Sequence, residues 1–241
     1  MVTERINPHL LSKELLENRS KYLLCTLVLG LLAIASVIFF PGNGSHVLTV
    51  SFNHYIWSHW SAGLLPQLGA AVAIVMGMGS FSLERARGTI LFLFNTPLSR
   101  DTIFRTKTVA ALLLLCCTLI ASAFLVILSS RLLGYHIASG PFMAVFMLTL
   151  MGVIFVFQLT VLFSVLTTDP VKAGTISAFC CFILYGFGLF NETHFISPFY
   201  YMGGADYLHG ASYPWIFLPV MLLLSIALYI LAQHFWRNLE V

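Results

Sequence analysis

Long apolar runs, broken by short polar stretches, set the pattern of this chain. Six runs approach or exceed the length that crosses the hydrocarbon core of a bilayer as helix, roughly 20 residues. They cover residues 21–40, 62–82, 107–130, 142–166, 173–190 and 214–236, the fifth with the least margin. Backbone inside lipid must satisfy its own hydrogen bonds, so these runs predict helices. The connectors are 41–61, 83–106, 131–141, 167–172 and 191–213. The first run is expected to be a retained span and not a cleaved signal peptide, although Ala33-Ile34-Ala35 mimics a cleavage site. Charged residues precede it, and it runs on to Phe40, past the roughly 7–15 residues of a signal core. The expectation is an all-α integral membrane protein of six spans, with residues 1–241 as a single transmembrane domain.

Ahead of the first span, residues 6–19 alternate at helical spacing. Ile6, Leu10, Leu11, Leu15 and Leu16 share one face, and Lys13, Glu14, Glu17 and Asn18 take the other. Asn7 suits the N-cap and Pro8 the first helical position. Such a helix is expected to lie in the interface plane. An amphipathic helix packed on protein would carry the same pattern.

Composition agrees with the spans: 59% of residues are hydrophobic and only 9% are charged, against about 25% charged in soluble domains. Charge then fixes the expected orientation, because basic residues collect on the cytoplasmic side. With the N-terminus inside, eleven of the 12 Lys and Arg residues are cytoplasmic and only Arg131 is external. Both termini are therefore expected in the cytoplasm. Trp57, Trp60 and Trp215 near the outer boundary and Trp236 near the inner one are expected as interface anchors.

Within the spans, Gly69, Ala73 and Gly77 form a small-residue ridge suited to close helix packing. Pro66, Gln67 and Pro219 can bend helices and free carbonyls. No Asp, Glu, Lys or Arg lies in the middle of a span, and Gln158 is the most polar deep residue. Ion-driven carriers place ionisable groups at depth, so this pattern argues against gradient coupling. The chain also has no G-x-x-x-x-G-K-[ST] loop to hold a nucleotide phosphate. Energy for uphill transport would have to come from a partner.

The stretch Glu84–Lys107 is where such a partner could act. It holds Arg85, Arg87, Arg100, Arg105 and Lys107 around an apolar block, Ile90 to Phe94, closed by Pro97. The block is too short to cross a bilayer, and exposed apolar runs ordinarily bind something. Ile90–Phe94 could fill a partner's groove while the flanking arginines pair with its acids. Ser99 can cap the next helix, and Asp101 favours its first turn. A positive loop dipping its apolar block into the lipid interface is the plainer alternative.

The pattern S-x-E-R-x-x-G-T, an apolar stretch, then T-P-L-S-R-x-x-I-x-x-x-K resembles the loop between spans two and three of ABC-2 type permeases. These are the membrane subunits of ABC exporters. The matching residues are Ser82, Glu84, Arg85, Gly88, Thr89, Thr96, Pro97, Leu98, Ser99, Arg100, Ile103 and Lys107. Residues 6–19 resemble the family's elbow helix, Thr167–Ala173 its second, shorter cytoplasmic loop, and Ile196–Met202 the segment before the last span. The resemblance implies a dimer with a second permease, identical or related, and two ATP-binding subunits beneath it. ATP and Mg would be held by those partners, with no cofactor in this chain. The loop 83–106 would act as a coupling helix. The implied coupling residues are Glu84, Arg85, Arg87, Gly88, Thr89, Phe92, Thr96, Pro97, Ser99, Arg100 and Lys107, with Asp169 and Pro170 as a second contact. The connector after span one, about 21 residues, is shorter than the external domain of many relatives. Cargo handling would then rest on the spans or on outer-face accessory proteins. The expected setting is the cell (inner) membrane, with the lipid bilayer as a partner and no nucleic acid.

Two other functions compete. Six of the eight histidines, His46, His54, His59, His136, His194 and His209, fall in outer connectors and could hold a metal for an intramembrane enzyme. Their spacing is irregular, and no H-E-x-x-H or nucleophile–base pattern accompanies them. No catalytic or metal-ligating residue is assigned. The second alternative is an assembly subunit that recruits soluble proteins without moving cargo. Cys25, Cys116, Cys117, Cys180 and Cys181 all sit in apolar runs and read as packing residues. Asn43-Gly44-Ser45 and Asn191-Glu192-Thr193 match the N-glycosylation pattern and are discounted for an expected prokaryotic protein.

Overall fold

The computed structural model describes residues 8–41, 51–90, 98–190, 192–210 and 212–239. These form helices α1 (Pro8–Glu17), α2 (Arg19–Ile38), α3 (Phe52–Met78), α4 (Ser82–Ala86) and α5 (Arg100–Leu132). Then follow α6 (Ser139–Leu166), α7 (Pro170–Phe187), the short α8 (Pro198–Met202) and α9 (Ala205–Leu208), and α10 (Phe217–Arg237). No strand occurs among the described residues. Six helices, α2, α3, α5, α6, α7 and α10, are long and apolar enough to cross a membrane. The ends that carry α1 and α4 form the basic end; the other is the far end.

α6 is the axis of the bundle. Two-thirds (67%) of its most apolar window is buried, against 22% for α7, and α3, α10 and α7 pack around it. The small-residue ridge of α3 explains the closest approach. A Cβ at Gly69 would stand 2.7 Å from Val153 Cγ2, and one at Gly77 3.0 Å from Thr160 Cβ. Ala73 between them is fully buried. Larger residues would push α3 off α6.

The main departure from the sequence pattern is the second span. It begins at Phe52, so much of the expected connector 41–61 is helix. Ile56–Leu64 is wound as a π-helix, and Leu65 N–H donates to Trp60 O, five residues back. The physical reason lies next door: Pro66 has no N–H and its ring crowds the carbonyl four residues earlier. Widening the turn relieves both. The apolar-run test missed this part because Asn53, His54, Ser58 and His59 dilute its hydropathy.

Trp60 is fully buried in this segment and Trp236 at the other end, so neither is an interface anchor. Trp236 packs on Phe81, with ring centroids 4.8 Å apart, and its Nε1 donates to Arg100 O at 2.9 Å. Trp215 is 71% exposed, as an anchor should be. Trp57 is half-buried and donates from Nε1 to Gly203 O at 2.9 Å. That bond fastens the far end of α3 to the segment before the last span. Thr149 Oγ1 on α6 donates to Met202 O at 2.9 Å, and a Cβ at Gly152 would lie 2.4 Å from Met202 Sδ. α8 thus sits in a notch that only glycine leaves open.

Candidate functional site

The basic end gathers most of the residues singled out from the sequence. Lys107, in the second turn of α5, is the hinge of the arrangement. Its ammonium is buried, with 4% of the side chain exposed, and lies 2.8 Å from Glu14 Oε1 and 3.0 Å from Glu84 Oε1. An isolated ammonium in this environment would cost several kcal/mol. Two carboxylates from elements seventy residues apart prevent that.

Glu84 sits in α4, immediately after span α3. Burial pushes its carboxyl up, but the Lys107 ammonium and hydrogen bonds from Thr89 and Lys107 outweigh burial and hold it below the usual carboxylate range. Thr89 Oγ1 donates to the Glu84 carboxylate across the turn at Gly88, whose φ of +70° suits glycine. No atom would contact a side chain added at Gly88, so backbone conformation and not space selects glycine there.

Glu14 corrects an expectation. It was assigned to the polar, outward face of the amphipathic helix, yet it is 4% exposed and faces Lys107. α1 packs principally on α5. Its Leu16 is 63% exposed while Leu10 is buried. The helix is therefore turned so that its buried stripe includes a carboxylate. Periodicity identifies a stripe; it does not say that a buried cation waits opposite. Ile6 and Asn7 lie outside the described residues.

The arginines also differ from expectation. Arg85 Nη1 donates to Val165 O at 2.9 Å and Thr167 O at 3.2 Å, closing the C-terminus of α6. Arg100 Nη1 donates to Arg237 O at 2.9 Å and Leu239 O at 2.8 Å, closing α10 in the same way. The last carbonyls of a helix lack partners and carry partial negative charge, so a guanidinium fits there. These two guanidinium groups are thus bound within the chain. Arg87 and Gly88 are exposed at the basic end, where Arg87 also lines the polar cleft beside Lys107.

Ser99 caps α5, accepting from Thr102 N at 3.1 Å. Asp101, next to it, binds Arg237 through a fork, with Nε to Oδ1 at 2.5 Å and Nη2 to Oδ2 at 2.6 Å. Asp169 Oδ1 accepts from Val171 N at 2.8 Å, and Pro170 is the first residue of α7. Both therefore have a helix-starting role beside the closed end of α6. Phe92, Thr96 and Pro97 lie outside the described residues.

Carboxylate oxygens of Glu14, Glu17 and Glu84 lie within 4.8 Å of one another. The Lys107 ammonium supplies the counter-charge at two of them, which makes the cluster an ion network. Among the described histidines, His54 and His59 lie on helix α3 and not in a connector. His54 and His209 flank Trp57 edge-on at 5.4 and 5.5 Å between ring centroids, and among the described residues no group of three metal ligands includes a histidine.

A family model described as an ABC-2 family transporter protein matches residues 62–193, more than half of the chain. That match takes in α4, the loop after it, and spans α5 to α7. No curated protein matches the chain.

Proposed function

The chain belongs to the ABC-2 family of transporter membrane proteins, and we propose that it is the permease subunit of an ATP-driven exporter, worked at its basic end by separate ATP-binding subunits. Two permeases enclose the path, and two ATP-binding subunits dock beneath them on the cytoplasmic side. Residues 83–106 take the main contact and 167–170 the smaller one. ATP and Mg belong to the docked subunits.

The observation that carries this reading is how the 82–107 stretch is tied into the bundle. Glu84 and Lys107 bind α4 to α5, Arg85 binds it to α6, and Arg100 and Asp101 bind the start of α5 to α10. A push on residues 82–90 or 98–107 reaches α5, α6 and α10 directly through these bonds. Arg87 and Gly88 remain exposed for a partner. A two-permease path is supported by Gln67, an exposed amide midway along α3. It lines a groove with Ala70 and Ile74 of α3 and Ala178, Phe182 and Tyr185 of α7. An amide facing lipid at that depth is costly, and a second copy would cover it.

The test uses two exposed positions, and because a side chain at Gly88 strains its φ of +70°, the Tm of each variant is measured beside its binding. Arg87→Glu and Gly88→Trp are introduced into the full chain and purified with the ATP-binding subunit. The expected result is normal membrane insertion with weakened binding, or ATP hydrolysis no longer altered by the permease. Unchanged binding and unchanged hydrolysis in both variants would refute the docking role.

A further inference from the structure

We propose that Lys107 is a shared counter-ion through which a displacement of α4 is passed on to α1, making Glu14 a positioning residue of the coupling site. The inference rests on the docking role proposed above and adds a part to it.

Three observations support it. The Lys107 ammonium is buried and holds two carboxylates at nearly equal distances, 2.8 Å to Glu14 and 3.0 Å to Glu84. Those carboxylates belong to different elements, α1 and α4, and the lysine belongs to a third, α5. Glu84 is also held by Thr89 within its own turn, so its carboxylate travels with the 84–89 segment.

A buried ammonium must keep a counter-charge in every conformation. With two available, either carboxylate can shift while the other keeps the charge neutralised. A displaced α4 therefore changes how tightly Lys107 holds Glu14, and α1 responds. Glu17, the third nearby acid, is exposed and pairs with Lys13 at 3.9 Å on its own helix, so it is not needed by Lys107. Lys21 and Arg87 line the same polar cleft and keep it from being purely acidic.

Two measurements test this. The first is a thermal-unfolding cycle on the full chain in lipid discs with Glu14→Gln, Glu84→Gln and the double variant. Each single change leaves Lys107 one carboxylate and is expected to lower Tm by about 2–4 °C; the double leaves it bare and lowers Tm by about 10 °C. A double effect equal to the sum of the singles would overturn the sharing. The second is hydrogen exchange of the full chain with its co-purified ATP-binding subunit. Adding the subunit is expected to slow exchange in both 82–90 and 8–17. In Glu14→Gln the slowing should persist in 82–90 and vanish in 8–17. If 8–17 stays protected in that variant, the inference fails alone. If 82–90 is never protected, even in the wild type, the docking role fails instead.

Discussion

Replacing Lys107 by Met removes one charge and leaves two buried carboxylates facing each other. Methionine matches the lysine stem in length and flexibility, so packing changes little. The cost is electrostatic. Carboxylate oxygens of the acidic group lie within 4.8 Å of one another. At that separation two like charges repel by about 3.5 kcal/mol with an effective dielectric of about 20. Removing one partner of a buried ion pair costs about 3–5 kcal/mol by comparison, so the two figures agree. For a chain of this size each kcal/mol is worth about 2–4 °C, which predicts a Tm lower by about 10 °C at pH 8. The pH dependence is the sharper signature. In the wild type the folded-state carboxyl of Glu84 is held below its ordinary value. Its contribution is therefore complete above the unfolded value, about 4.3, and is lost as pH falls through the folded value. In Lys107→Met the ammonium that holds Glu84 down is gone, so burial and the neighbouring carboxylate raise the affinity of Glu84 for a proton. That variant gains stability as pH falls. Thermal unfolding in lipid discs at pH 8, 6.5 and 5 should show the gap narrowing steadily. An equal loss at pH 8 and pH 5, or no loss at either, would refute the buried ion network.

Two further substitutions separate this network from its surroundings. Asp101→Asn weakens the fork to Arg237, a half-exposed pair with 51% of the arginine and 15% of the aspartate side chain exposed; a pair with one partner in solvent contributes about 1 kcal/mol, so Tm should fall by no more than about 4 °C, and a drop as large as that of Lys107→Met would contradict the burial argument. Gly69→Leu places a side chain where a Cβ already stands 2.7 Å from Val153, and overpacking of about 1–3 kcal/mol should appear as a lower Tm with faster exchange along α3 and α6, whereas an unchanged Tm would show that the two helices are not closely packed.

The site was partly legible from the sequence. Glu84, Gly88, Thr89, Ser99 and Lys107 were singled out on a motif, and the described ones among its residues gather at one end. What the motif could not give was their partners. Arg85 and Arg100 were expected to meet acids on another protein; instead they close the C-termini of α6 and α10. Asp169 and Pro170 start a helix. In each case the deciding atom is a backbone carbonyl or amide, which no residue name reveals.

Hydropathy alone set the number of spans, though not where the second begins, and the family motif set where to look, because length in lipid and backbone hydrogen bonding are local matters. Only the folded bundle decided that Glu14 turns inward. Its partner is ninety-three residues away on α5, and a helical stripe read in isolation assigns any carboxylate to water. The π-helical start of α3 was hidden for a related reason. Its polar residues Asn53, His54, Ser58 and His59 stay exposed and look like a loop; what holds the helix is the opposite face, where Ile56 and Trp60 are buried and Trp57 is bonded to Gly203. Charge and periodicity act along the chain, whereas desolvation depends on what packs across it, and desolvation chose the partners here.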